Sequence, residues 1–202
     1  SAPYTVYIGS EYEIFANQDS SYLFSYIGYG TNCDETEVVT NLDLLNTNSV
    51  TNMSYMFNNF GYRAMTTLSL GAFDTTNVTN MTNMFNNCGN LAMPGLNLGT
   101  SFDTSNVTDM SNMFNGCGQA EMTTLNLGNS FNTSNVQNIS GMFQNCGQNK
   151  LTILDLGATG ITFNTSSVVG DMSNMFNGCG QNAMTTFSLG SNFNTAQVTN
   201  MS

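Results

Sequence analysis

Histidine and tryptophan are absent from this 202-residue chain, and Arg63 and Lys150 are its only cations. Each absence closes a class of function. Without His there is no Ser-His-Asp or Cys-His catalytic arrangement and no His-bearing zinc site. Two cations against 13 acidic residues leave a net charge of −11. That balance argues against nucleic acid and anionic membrane as partners, since both require clustered Lys and Arg. No apolar run approaches the roughly 18 residues of a membrane span. Charged residues are only 7% of the chain while hydrophobic ones reach 40%. The polar surface must therefore come from Asn, Thr, Ser and Gly, which suits a protein that is sugar-coated or packed against other subunits. The chain begins SAPYTVYIGS without Met. This is read as a mature start after signal-peptide removal, an arbitrary boundary being the plainer alternative.

What is present is one sentence written five times. VTNMSYMFNNF begins at Val50, VTNMTNMFNNC at Val78, VTDMSNMFNGC at Val107, VQNISGMFQNC at Val136 and VGDMSNMFNGC at Val169, and a partial copy starts at Val198. The steps are 28, 29, 29, 33 and 29 residues. Self-similarity at this period signals coils that bury their apolar faces against one another. Val107, Met110, Met113 and Phe114 follow helical spacing, and Gly116 and Gly118 end the predicted helix around Cys117. Leu125 and Leu127 alternate as inward residues of a strand, with equivalents Leu68/Leu70, Leu96/Leu98, Leu154/Leu156 and Phe187/Leu189. A loop with an inward Phe follows (Phe73, Phe102, Phe131, Phe163, Phe193), and DTTN, DTSN, NTSN or NTSS then caps the next helix. The expected fold is thus an α/β repeat solenoid of leucine-rich-repeat-like coils. Each coil of about 29 residues is a parallel strand plus a short helix, and residues 41–202 make about five coils plus partial ones. Residues 1–40 hold six of the eight tyrosines. Alternation at Tyr4/Val6/Ile8 and Tyr22/Phe24/Tyr26 predicts an N-terminal β cap or assembly segment. The 33-residue step predicts a surface bulge around Ala158–Thr162 and near Val168.

The pattern L-x-L-x-x-F-D-T-S-N-V-T-N-M-S-x-M-F-x-x-C resembles the repeat of the BspA-like leucine-rich-repeat surface proteins, over residues 42–202. The resemblance implies a leucine-rich-repeat type of coil, an extracellular or surface-anchored setting, and adhesive or structural roles.

Few residues suggest chemistry. Asp74 and Asp103 share one repeat position and would stack as a carboxylate pair able to hold Ca²⁺ or act on a glycoside. Asn132, Asn164 and Asn194 hold the same position; exchange with Asn fits capping and destroys acid–base chemistry. No cofactor or metal is expected. Cys88, Cys117, Cys146 and Cys179 form a ladder, with Phe60 at the equivalent place, so the site is apolar and buried. A column of free thiols is expected there, with bridges between adjacent coils as the alternative. Cys33 has no evident partner. Sequons occur at Asn52, Asn77, Asn80, Asn106, Asn132, Asn138, Asn164 and Asn200, and would carry columns of glycans in a secretory pathway that uses them. Outward strand positions Thr67, Ser69, Gly95, Asn97, Thr124, Asn126, Ile153, Asp155, Thr186 and Ser188 predict a flat, small, nearly uncharged face for a glycan or protein. An open last coil around Leu189 and Phe193 invites a head-to-tail contact, which grows a filament if it does not close. The sequence therefore predicts a non-catalytic extracellular structural or adhesive protein, self-assembling and glycosylated. The alternative is a monomeric module of a larger surface protein that binds a surface protein or glycan through the sheet face.

Overall fold

A computed structural model describes residues 13–30, 42–71 and 73–202 of the chain. Among them the regular elements are short: β1 (Ile14–Phe15), a 3₁₀ turn (Leu42–Leu44), β2 (Leu45–Asn46), β3 (Gly95–Asn97), β4 (Thr124–Asn126), β5 (Ile153–Asp155), β6 (Gly170–Asp171), β7 (Thr186–Ser188) and β8 (Val198–Asn200). They form four separate two-stranded sheets, β1-β2, β3-β4, β5-β7 and β6-β8, all parallel. Each pair joins equivalent residues of neighbouring repeats, as in Leu96↔Leu125 and Leu154↔Phe187. Single parallel bridges continue the register through Asp19, Asn52, Asn80, Asp109 and Asn138.

This overturns the expected α/β solenoid. The described residues contain no α-helix, and the strands do not merge into one continuous sheet. The reason lies in where the backbone N–H groups go. In the third full repeat Met110, Asn112, Phe114 and Gly116 donate to the carbonyls of Asn138, Ser140, Met142 and Gln144 in the next repeat, at 2.7–3.0 Å. The alternate residues Met113, Asn115 and Cys117 donate three residues back, to Met110, Asn112 and Phe114, at 3.1–3.2 Å. An α-helix sends every interior N–H four residues back. Here half of them leave the segment altogether, and the rest close turns.

Backbone angles enforce that choice. Asn112, Gly116 and Gly118 have φ of 53°, 64° and 52°. The left-handed region costs an L-residue roughly 1–2 kcal/mol and is visited mainly by Gly and Asn. The same places in other repeats hold Asn83, Gly141 and Asn174, then Asn59, Asn87, Asn145 and Gly178, all at positive φ. The third place is always Gly, because a Cβ on Gly118 would stand 2.5 Å from the Met122 Cβ. The i, i+3, i+6, i+7 spacing of Val107, Met110, Met113 and Phe114 thus marks inward corners of a chain of turns.

Those corners build the core. Val107, Met110, Met113, Phe114 and Cys117 are fully buried, as are Val78, Met81, Met84, Phe85 and Cys88 one repeat earlier. Phe24, Phe57, Phe85, Phe114, Phe143 and Phe176 stack in sequence with ring centroids 5.3–5.7 Å apart and planes within 14° of parallel. Offset stacking of this kind adds to the stabilisation from burial.

The Phe ladder begins at Phe24, inside the expected N-terminal β segment. Tyr22, Phe24 and Tyr26 are turn residues and not a strand, and Tyr22 and Tyr26 have φ of 60° and 63°. Ser20, Tyr22, Phe24 and Tyr26 donate to the carbonyls of Asn52, Ser54, Met56 and Asn58, the pattern seen between later repeats. Residues 14–29 are therefore a further repeat. Tyr4, Val6, Ile8 and Cys33 lie outside the described residues. The 33-residue step is absorbed in two places. Ala158–Ile161 closes a turn, with Ile161 N–H on the Ala158 carbonyl at 3.0 Å. Gly170, at φ 99°, carries a register shift in the β6-β8 pair beside an exposed Val169.

Candidate functional site

The outward residues come from three-residue strands and, for Thr67 and Ser69, from the segment that carries an isolated bridge. Thr67, Ser69, Asn97, Thr124, Asn126, Asp155 and Thr186 are exposed and Ser188 is half-buried. The structure divides them into two patches. Ser69 bridges to Asn97, and Asn97 pairs with Asn126. Asp155 pairs with Ser188 in a different sheet. The side-chain oxygens of Asn97, Asn126 and Asp155 accept the N–H of Gly99, Gly128 and Gly157 at 2.9–3.0 Å, which turns the chain out of each strand. Phe187, expected to point inward, is 47% exposed beside an exposed Ile153, so the second patch is partly apolar.

The carboxylate pair behaves as its Asn equivalents do. Asp74 and Asp103 accept the N–H of Thr76 and Ser105 at 3.0 and 2.8 Å. Asn132, Asn164 and Asn194 accept from Ser134, Ser166 and Ala196 at 2.8–3.0 Å. These oxygens shape turns, since no helix follows for them to cap. Asp74 and Asp103 also line an open cavity of about 460 Å³ with Gly71, Thr76, Ser101 and Ser130. Among the described residues no three His, Cys, Asp or Glu side chains gather as a metal site.

The Thr beside each of these turns carries more of the structure, and its role is not evident from composition. Thr47, Thr75, Thr104, Thr133 and Thr165 are at most 1% exposed. Their hydroxyls donate to the carbonyls of Asp74, Asp103, Asn132, Asn164 and Asn194, one repeat on, at 2.7–2.9 Å. Four of them also accept the N–H of that same residue, at 2.6–2.9 Å. Each hydroxyl is a two-way clasp between repeats. Its signal was the Thr shared by every DTTN, DTSN, NTSN and NTSS loop.

Cys88, Cys117 and Cys146 are buried and Cys179 is half-buried, and all four are free thiols. Hydrogen bonding to Cys88 raises the Cys117 thiol pKa well above its usual value, and burial adds to the effect. Cys146 is raised likewise by Cys179 and by burial. These two thiols stay protonated and therefore unreactive at neutral pH.

The sequons differ in what their amide nitrogens do. Asn77 and Asn106 donate theirs to the carbonyls of Asn48 and Thr76 at 2.7 Å. Asn52, Asn138 and Asn200 donate to the carboxylates of Asp19, Asp109 and Asp171 at 3.0–3.4 Å. The hydrogen bonds made by Asn80, Asn132 and Asn164 use the side-chain oxygen or the backbone, which leaves the nitrogen side open. A second amide column runs inside the turn face: Asn90 donates to Gln119, Gln119 to Gln148 and Gln148 to Gln181, at 2.7–3.1 Å.

No helix is long and apolar enough to cross a membrane among the described residues. The family described as "Mycoplasma protein of unknown function, DUF285" matches the chain at residues 29–153, 60–179 and 156–202. No curated protein and no solved structure matches it.

Proposed function

The chain belongs to the DUF285 family, and from that premise we propose a non-catalytic structural or adhesive protein of the cell exterior, of the BspA-like kind, that associates head to tail. The observation that carries this reading is that each repeat joins the next by the same bonds, backbone N–H to carbonyl and Thr hydroxyl to carbonyl, which a repeat of a second copy can also make. In the first described repeat Leu23 is 46% exposed. Leu23 occupies the place that Met56 and Met84 hold in the next repeats, where both are fully buried. At the other end Phe187 and Met201 are 47% and 59% exposed. Met172, Met175, Phe176, Phe193 and Met201 there line an open cavity of about 350 Å³. Equivalent residues of neighbouring repeats pair in register, so a repeat of a second copy offers a surface of the same kind. A contact of that kind is heterologous and extends without limit unless it closes.

Sedimentation velocity over a concentration series, with electron microscopy of the same samples, tests this. Concentration-dependent growth into uniform filaments is expected, weakened by Met201→Glu. A monodisperse monomer at every concentration would remove the filament reading. The exposed, almost uncharged patch of Thr67, Ser69, Asn97, Thr124 and Asn126 supports a second reading, a monomeric module that binds a surface protein or glycan there. In a host that glycosylates Asn, Asn80, Asn132 and Asn164 are the sequons best placed to be modified.

A further inference from the structure

Five tyrosines stand together on the first two repeats. Tyr22 and Tyr55 stack with ring centroids 4.6 Å apart and planes 7° from parallel. Tyr29 meets Tyr26 edge-on at 5.4 Å and Tyr62 at 5.0 Å. Tyr22, Tyr26 and Tyr29 are 55%, 57% and 44% exposed. They lie on the turn side, away from the outward strand residues.

Three of these residues sit where the backbone disfavours them. Tyr22, Tyr26 and Tyr55 have φ of 60°, 63° and 58°. A bulky residue in that region is an outlier, and such strain gathers where a surface has a task. The other repeats fill the Tyr22 and Tyr55 column with Asn83, Asn112, Gly141 and Asn174, which adopt this φ at less cost. Likewise Tyr29 and Tyr62 interrupt the column that continues as the Asn90–Gln119–Gln148–Gln181 amide ladder. The core needs none of these rings, because Phe24 and Phe57 already fill it. Two columns therefore switch to Tyr in both of the first two repeats and a third, at Tyr26, in the first alone, against local preference and toward solvent.

We infer that this cluster is a carbohydrate-binding surface that takes a pyranose face of a neutral oligosaccharide on the outer face of Tyr22, whose inner face is stacked on Tyr55. A pyranose ring has a C–H face that packs on an aromatic face and a hydroxyl edge that needs polar partners. A phenol offers both in one side chain, apolar body and wet tip. The neighbouring side chains Ser21, Ser25 and Asn59 are hydroxyls and an amide. A chain of net charge −11 repels acidic ligands and surfaces, which favours a neutral sugar over an acidic one.

The test is calorimetric titration of the whole chain with cellohexaose and with chitohexaose. Saturable binding of at least one is expected. Tyr22→Asn with Tyr55→Asn should lower the association constant at least about tenfold. Its unfolding temperature should stay equal or rise, since Asn is the residue that column uses elsewhere. Tyr22→Phe with Tyr55→Phe keeps the stack and its outer face and should retain binding within a few-fold. Absence of binding to both hexasaccharides overturns the inference, as does equal binding by the Asn double variant. A double variant that changes only the sedimentation behaviour would reassign the cluster to contact between copies.

Discussion

At the scale of single residues, the repeat is written by side chains that tolerate unusual backbone. Asn112, at φ 53°, is the plainest case. Asn112→Ala places a Cβ-bearing residue in the left-handed region without the local polar compensation Asn has. It should lower stability by about 1 kcal/mol or slightly more, whereas Asn112→Gly should be close to neutral; denaturant midpoints of the two variants decide. Asp19 and Asp171 add a pH dependence. The Ser21 and Ser173 backbone N–H groups hold their carboxyls below the usual range, assisted by Asn52 and Asn200. A depressed carboxylate contributes stability above its unfolded pKa and loses it as pH falls through the folded one. Acid titration of the unfolding midpoint below about pH 4 should therefore show a loss that is shallower in Asp19→Asn with Asp171→Asn. Both variants keep the acceptor that makes the turn.

At the scale of elements, the clasp between loops matters more than the strands, which are two or three residues long. Thr104→Val preserves shape but leaves the carbonyl and N–H of Asn132 without their buried partner. Roughly 2–4 kcal/mol of lost stability is expected for the two orphaned groups, measurable by chemical denaturation. Much of this level was legible in advance. The burial of Val107, Met110, Met113 and Phe114, and the inward Phe73, Phe102 and Phe131, followed from their recurrence alone. The helix did not, because inward positions three and four apart arise equally from a chain of tight turns. The contrary signal was Asn and Gly at the intervening positions, since both are poor helix interiors and ready left-handed residues. The DTSN-type loops signal only a polar cap, because a hydroxyl's partner one repeat away is invisible along the chain.

At the scale of the whole molecule, one repeat lay concealed. SYLFSYIGY at residues 21–29 matches SYMFNNFGY at 54–62, 33 residues later. The tyrosines drew attention to strand alternation and away from that match. The outward residues were legible as exposed but not as divided between two sheets, because no local pattern reports that β4 and β5 fail to pair. A stack of near-equal units also makes position matter. Phe114 lies between Phe85 and Phe143 and is fully buried. Phe114→Ala should cost about 3–5 kcal/mol. Phe176→Ala should cost clearly less, since Phe176 stacks on one ladder neighbour and is only partly buried. Thermal unfolding of the two variants, compared side by side, checks this.

The bonds between repeats have a mechanical reading. Those from Met110, Asn112, Phe114 and Gly116 run forward to the next repeat, while those from Thr108, Gly118 and Ala120 run back to the previous one. Tension along the stack passes through every layer in series, and a layer whose neighbour has already opened is held on one side only. The chain should then yield layer by layer, like a zip. Each 29-residue layer would release about 100 Å of slack, and single-molecule extension should record a train of small, evenly spaced rips. A chain built this way lengthens under load and keeps its remaining layers intact.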